Sequence, residues 1–366
     1  MGVLFSSSSR PELPDLTGCV AIVTGGNTGI GYYTVQRLAK HGAKVYMGAR
    51  NEEKAKAAIE KLRAEGLGDK AGEVIYLSLD LTRPSEAKAA AEYFVSREQR
   101  LDILGEYPSS QRASGSVKPT TLLSMMYVTL SQQCRIVGPW AATSDGISRS
   151  LAINHLSPFI FTNTLLPLMA ATAKLPDTDV RIVNLSSVTH SWIRSKAAFD
   201  SLAAINTNFG SSGQAQNELY GYTKLLNILH AKQLQKRLDA DNIPIIVTAV
   251  HPGYVWTGEW LLPVSYEGHK YSYAYSDGSQ MFLSTLPLKN VWLAILRAFT
   301  VDAERGADTS LFAAASPQVR ASPGIYKGAY LVPMGKVKQP AKDALIPKNA
   351  EDLWRVSEEQ LAAIGL

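Results

Sequence analysis

A short apolar, β-branched run, Cys19 to Val23, opens at once into Thr24-Gly25-Gly26-Asn27-Thr28-Gly29-Ile30-Gly31 and then an amphipathic stretch to Lys40. A second apolar run, Lys44 to Gly48, follows. The order is strand, tight turn, helix, strand. Strands joined through a helix lie parallel, and a parallel sheet needs helices on its faces. Glycine lets bare main chain approach a ligand, and a helix beginning near Thr28 aims its N–H groups and positive dipole end at an anion. A lone glycine pattern is weak, and a purely structural turn is the plain alternative. Here the strand before and the helix after supply the context the pattern needs, and they point to a dinucleotide.

The second strand ends in Ala49-Arg50. A carboxylate at this point would hold ribose hydroxyls, whereas a cation suits a ribose phosphate. Arg50 therefore favours NADP(H), against the alternative of a solvated surface arginine. Val74 to Leu79 reads as a third strand, ending at Asp80-Leu81. Asp80 is placed to touch the adenine edge, or to cap the helix that follows Thr82.

Arg181 to Leu185 is another apolar strand, with Ser186-Ser187 at its end. Ligands of open α/β sheets bind outside the carboxyl ends of strands, where a hydroxyl can meet a substrate carbonyl. Apolar spacing predicts a helix over Gln216 to Leu238, which puts Tyr220 and Lys224 on one face. An ammonium beside a phenol favours the phenolate. Tyr220 then suits general acid chemistry in carbonyl reduction and general base chemistry in the reverse. Tyr-x-x-x-Lys pairs are common by chance; the position after the serine-bearing strand is what gives this one meaning.

With these motifs in order, the chain resembles the short-chain dehydrogenase/reductase family. It is most similar to the retinol-dehydrogenase-like branch and its fungal secondary-metabolism relatives. The matching segments are Thr24-Gly25-x-x-x-Gly29-x-Gly31, Ser187 before Val188, Tyr220 with Lys224, Asn154 in Leu151-Ala-Ile-Asn154-His155-Leu156, and Pro252-Gly253-Tyr254-Val255-Trp256-Thr257. Gly328-Ala-Tyr-Leu-Val-Pro333 and the closing helix match this branch's tail. The resemblance spans residues 16–104 and 138–366. It implies a Rossmann-type doubly wound parallel sheet with helices on both faces, in one α/β domain with a small substrate lid. It implies that Ser187 polarises a carbonyl, Tyr220 transfers the proton, Lys224 binds the nicotinamide ribose and tunes Tyr220, and Asn154 supports a proton relay to solvent. It assigns cofactor contacts to Thr24, Gly25, Asn27, Thr28, Gly29, Ile30, Gly31, Arg50, Asp80, Leu81, Tyr220, Lys224, Pro252, Gly253, Val255 and Thr257. A homodimer paired through the helices carrying Tyr220 and Asn154 is a family assembly, although this branch varies.

One stretch departs. The family places Asn-Asn-Ala-Gly soon after the strand Leu101 to Leu104, where it closes the adenine pocket. Here residues 105–137 intervene, with no helical or strand period beyond Thr121 to Leu130. A structureless loop of this length inside a domain is itself evidence of an anomaly. Gly105-Glu106-Tyr107 can be encoded with a splice-donor sequence inside it. Gln132-Gln133-Cys134-Arg135 can be encoded so that the next reading frame spells Asn-Asn-Ala-Gly. We therefore expect a retained intron, with a true insertion as the alternative. Sequencing the mature transcript decides: loss of codons 105 to 131 supports the intron, and their retention refutes it.

The rest fits a single domain, 16–366, behind a flexible arm, 1–15. Residues 256–290 are the expected lid. They carry Trp260, Tyr266, Tyr271, Tyr273, Tyr275 and Phe282, which either line an apolar, polyketide- or terpenoid-like substrate pocket or simply pack the lid down. The net charge of +5, from 37 basic and 32 acidic residues, is dispersed, which speaks against nucleic acid. The six histidines lack metal-ligand spacing, so no metal is expected. His251 reads as structural; His190 either lines the site or supports it. There is no run of about 18 apolar residues, so no membrane span is expected. Cys19 and Cys134 form no disulfide framework and fit the reducing cytoplasm. The expected function is NADP(H)-dependent interconversion of a carbonyl and an alcohol on a small molecule. The alternatives are an inactive or weakly active cofactor-binding member, owing to the disrupted Asn-Asn-Ala-Gly region, or recruitment to epimerisation or dehydration.

Overall fold

The apolar runs of the sequence become the strands of one sheet. The computed structural model describes residues 10–68, 71–107, 140–143, 145–194, 197–210, 212–256 and 300–366. The strands are β1 (Val20–Thr24), β2 (Lys44–Ala49), β3 (Val74–Ser78), β4 (Ile103–Glu106), β5 (Arg181–Leu185) and β6 (Ile246–Val250). A two-residue strand, β7 (Val255–Trp256), pairs with β8 (Val301–Asp302) apart from the main sheet. The main sheet is completed by β9 (Tyr330–Val332) and β10 (Lys336–Val337). Its order is β10-β9-β6-β5-β4-β1-β2-β3, parallel throughout except for the antiparallel edge pair β9–β10. The chain winds outward from β1 in one direction to β3 and in the other from β4. That reversal opens a crevice at the carboxyl ends of β1 and β4.

Both faces are covered, which is why the strands read as apolar runs rather than alternating ones. Ile22, Leu104, Ile182 and Val247 face one core, with α3 (Pro84–Arg97), α4 (Ser157–Thr172), α5 (Gly213–Ala240) and α7 (Pro347–Ala363). Val23, Ile103, Val183 and Ile246 face the other, with α1 (Gly29–Lys40), α2 (Glu52–Glu65) and α6 (Ala303–Ala315). Arg181 closes this second layer. Its fully buried guanidinium donates to the Ala313 carbonyl (3.0 Å) and the Ser316 carbonyl (3.3 Å) at the end of α6, and pairs with Asp179.

Three expectations change here. The fourth strand begins at Ile103 rather than Leu101; the Asp102 main chain still bonds Val20 and Arg181, and its carboxylate accepts from the Val20 N–H (2.9 Å) and pairs with Arg100. The strand then runs to Glu106, two residues into the segment the sequence marks as an interruption. Residues 10–15, expected to belong to a flexible arm, pack instead. Leu13 is buried, Arg10 pairs with Glu304, and Arg37 donates to the Pro11 carbonyl (2.9 Å). Asp80 does not cap α3, whose N-cap position is Arg83; it accepts from the Thr82 N–H (2.9 Å) in a tight turn. Residues 221–231 of α5 are all buried. The chain's own α7 lies on this helix: Trp354 packs on His230 (5.7 Å) and under Arg237 (4.5 Å). Among the described residues no helix is long and apolar enough to cross a membrane.

Candidate active site

The glycine turn is built by close approach. A Cβ on Gly31 would lie 2.3 Å from the Gly25 carbonyl oxygen, so only glycine lets α1 sit down on the turn. Gly25 has φ +61°. Thr28 occupies the N-cap position without a side-chain capping bond, so the first N–H groups of α1 keep their anion-binding character. Asn27 is half-buried, Thr28 exposed and Ile30 buried. Thr24 also serves the sheet. Its buried hydroxyl accepts from the Tyr107 N–H (2.6 Å), tying β1 to the end of β4.

Arg50 stands exposed between Ala49, which is buried, and Asn51, which caps α2 by accepting from the Lys54 N–H (2.8 Å). Among the described residues no carboxylate pairs with Arg50. Leu81 is buried beside the half-buried Asp80.

At the end of β5 the catalytic candidates converge. The Lys224 ammonium donates to the Leu185 carbonyl (3.0 Å), and the Asn227 amide donates to the same oxygen (3.0 Å). In return the Ser186 hydroxyl donates to the Lys224 carbonyl (2.8 Å). These bonds lock β5 and α5 into one unit. Lys224 Nζ lies 5.6 Å from the Tyr220 ring centre, with both side chains buried. Ser187 caps the short 3-10 turn Val188–Ser191 by accepting from the Thr189 N–H (3.3 Å). One of its lone pairs is thereby used, and its own proton stays available to donate.

Asn154 sits in a π-helical turn, Ala152–Leu156, that packs against α5. Such turns recur at functional sites. Among the described residues, neither polar atom of its fully buried amide has a hydrogen-bond partner.

The Pro-Gly segment after β6 is held by the His251 N–H on the Leu331 carbonyl (2.7 Å). Gly253 takes φ +91°, and a Cβ there would lie 3.0 Å from Pro333. A Cβ on Gly306 of α6 would come within 2.4 Å of Val255 and 3.2 Å of Ile30. This three-way contact brings the Pro252–Val255 segment to the first turn of α1. Burial of His251, with His190 and Lys338 nearby, pushes its pKa down to about 3. Thr257, most of the expected lid, and residues 108–137 lie outside the described residues.

Three features escaped the sequence. Glu106 is a fully buried carboxyl at the end of β4. It accepts from the Thr162 hydroxyl (2.6 Å) through one oxygen, and the other has no partner among the described residues. Burial pushes its pKa up to about 8, against the opposing pull of Thr162. Asn227, one turn beyond Lys224, shares the Leu185 carbonyl with it. Gly221, beside Tyr220, touches the serine loop: a Cβ there would lie 2.5 Å from the Thr189 carbonyl oxygen. Alanine normally stabilises a helix interior by about 1 kcal/mol over glycine. Here Gly221→Ala pushes the Ser187 loop from α5, and kcat is expected to fall by about tenfold or more. Steady-state kinetics beside a melting curve check this; unchanged kcat means that the loop yields freely.

The comparisons with known proteins agree with this geometry. A family model described as short chain dehydrogenase matches residues 19–120. The chain is 39% identical over 359 residues to a short-chain dehydrogenase/reductase of Armillaria gallica, covering 97% of this chain and 98% of that one. It is 34% identical over 380 residues to the short chain dehydrogenase/reductase dpchH of Colletotrichum higginsianum, covering 100% and 82%. Among solved structures, an uncharacterised protein from Mycobacterium paratuberculosis matches with TM-score 0.58 at 24% identity, covering 96% of each chain. L-sorbose reductase from Gluconobacter frateurii, complexed with NADPH and L-sorbose, matches with TM-score 0.56 at 17% identity, covering 87% of this chain and 96% of that one. At these identities the structural matches establish the shared fold.

Proposed function

The chain belongs to the short-chain dehydrogenase/reductase family, and from that premise we propose that it is an NADP(H)-dependent oxidoreductase interconverting a carbonyl and an alcohol. The observation that carries this reading is the lock between β5 and α5. Lys224 on the Leu185 carbonyl and Ser186 on the Lys224 carbonyl fix Ser187 and the Tyr220–Lys224 pair in one rigid frame. Placement of this kind supplies the orientation that proton transfer needs.

The residues divide the work. The Ser187 hydroxyl donates to the substrate oxygen, with the Thr189 N–H fixing its lone pairs. Tyr220 gives its phenolic proton to that oxygen in reduction and takes it back in oxidation. The Lys224 ammonium favours the phenolate left behind. Asn154 supplies a buried amide that would hold a water through which a proton passes toward solvent. The nicotinamide cofactor, when bound, supplies or accepts the hydride. The glycine turn fits a pyrophosphate, since α1 starts there with no side-chain cap on its first N–H groups. Asn27, Thr28, Gly29 and Ile30 line the turn, Asp80 and Leu81 border the adenine side, and Pro252, Gly253 and Val255 approach the nicotinamide side.

Arg50 selects the phosphate. Its exposure and lack of a described carboxylate partner leave its charge available for one. Arg50→Asp is expected to shift the ratio of NADPH to NADH affinity at least tenfold toward NADH, about 1.4 kcal/mol. An unchanged ratio in fluorescence titrations places phosphate selection elsewhere. The substrate we propose is a small apolar biosynthetic intermediate of polyketide or terpenoid type, on the aromatic content of residues 256–290 and the fungal relatives. A second reading, cofactor binding with weak or absent turnover, is favoured by one observation: the buried Glu106 stands at the strand end where the family has its Asn-Asn-Ala-Gly turn.

A further inference from the structure

We propose that His190 is a positioning residue that couples the C-terminal segment after β10 to the catalytic serine; this rests on the reading that Ser187 polarises the substrate carbonyl. His190 Nδ1 lies 2.6 Å from the Ser187 carbonyl oxygen, and the Ala341 N–H donates to His190 Nε2 at 3.0 Å. A carbonyl only accepts and an amide N–H only donates. The ring is therefore neutral, with its proton on Nδ1. Ala341 selects the tautomer that holds Ser187.

The ring is fixed from other sides too. It packs edge-on to Tyr330 of β9 at 4.8 Å between centres. Its turn is wedged against α5 where Gly221 meets the Thr189 carbonyl. Burial holds its pKa below the ordinary histidine value, in keeping with a neutral ring. Residues 187 and 341 are far apart in the chain, yet one imidazole bridges their main chains.

Ala341→Pro breaks the contact. Ala341 has φ −54°, within proline's range, and the substitution removes the N–H and sets Cδ against His190 Nε2 in its place, so the ring loses its donor and is displaced. In the proposal kcat falls about five- to tenfold, with cofactor affinity unchanged. His190→Asn presents an amide N–H in the place of Nδ1 whatever residue 341 does. It should keep kcat within about twofold and abolish the effect of Ala341→Pro in the double variant. His190→Phe should lose kcat as Ala341→Pro does, or more. Equal effects of Ala341→Pro in both backgrounds overturn the coupling. Nitrogen NMR of the His190 ring in the full chain supplies a readout independent of turnover. An Nδ1–H ring that changes in Ala341→Pro supports the proposal, and an Nε2–H ring in the parent chain overturns it even if no substrate is found. Absence of turnover in the parent chain with the Nδ1–H ring intact counts against the catalytic reading alone.

Discussion

Tyr220→Phe is expected to lower kcat by about two to four orders of magnitude while leaving NADPH affinity nearly unchanged. The substitution removes one hydroxyl from a buried side chain and keeps the ring that packs beside Lys224. The Lys224 bond to the Leu185 carbonyl does not use the phenol, so the frame of β5 and α5 survives. What disappears is the proton that neutralises the developing alkoxide. Single-turnover measurement of hydride transfer beside a cofactor titration separates the two effects. Activity within about tenfold of the parent chain would refute Tyr220 as the acid, and a parallel loss of cofactor binding would mean that the phenol serves binding instead.

Glu106→Gln is expected to stabilise the protein by about 3 kcal/mol at pH 7. The carboxyl ordinarily titrates near 4.5, and burial raises it to about 8 in the fold. Below 4.5 it is protonated in both folded and unfolded chains and has no pH-dependent effect. Between 4.5 and about 8 the unfolded chain releases the proton while the folded chain keeps it, so native stability falls as pH rises. Each pH unit in that window costs about 1.4 kcal/mol. Glutamine keeps the shape and an acceptor for the Thr162 hydroxyl without the ionisation. Urea unfolding of both chains near pH 5 and near pH 8 tests this. The advantage of the variant should be small at the lower pH and large at the higher. An equal difference at both would contradict a buried, protonated Glu106. The same carboxyl bears on the sequence anomaly, since a strand end shaped for this sheet would not ordinarily carry an acid with an unpartnered oxygen.

The pattern that was legible in the sequence is the pattern set by local chemistry. The glycine turn, the apolar strands around it, β5 with its serines and the helix through Tyr220 and Lys224 all announce themselves within one element. Features that depend on contacts between distant residues did not. The Asp102 carboxylate meets the Val20 N–H across the sheet, and no local signal reports that pairing. The Thr24 hydroxyl holds the Tyr107 N–H across the sheet, a tie no local pattern reports. The ion pair between Arg10 and Glu304 ties down an N-terminal stretch whose serine- and proline-rich composition suggests a loose arm. The covering of α5 by α7 depends on Trp354 reaching His230 and Arg237, which sequence spacing alone does not reveal. His190 was noticed by its distance from Ser187, but its role depends on an N–H more than a hundred residues away.

The most direct test of the account is titration of the purified chain with NADPH and with NADH, followed by cofactor fluorescence. The account predicts saturable binding of NADPH, at least tenfold tighter than NADH. Failure to bind either cofactor would contradict it.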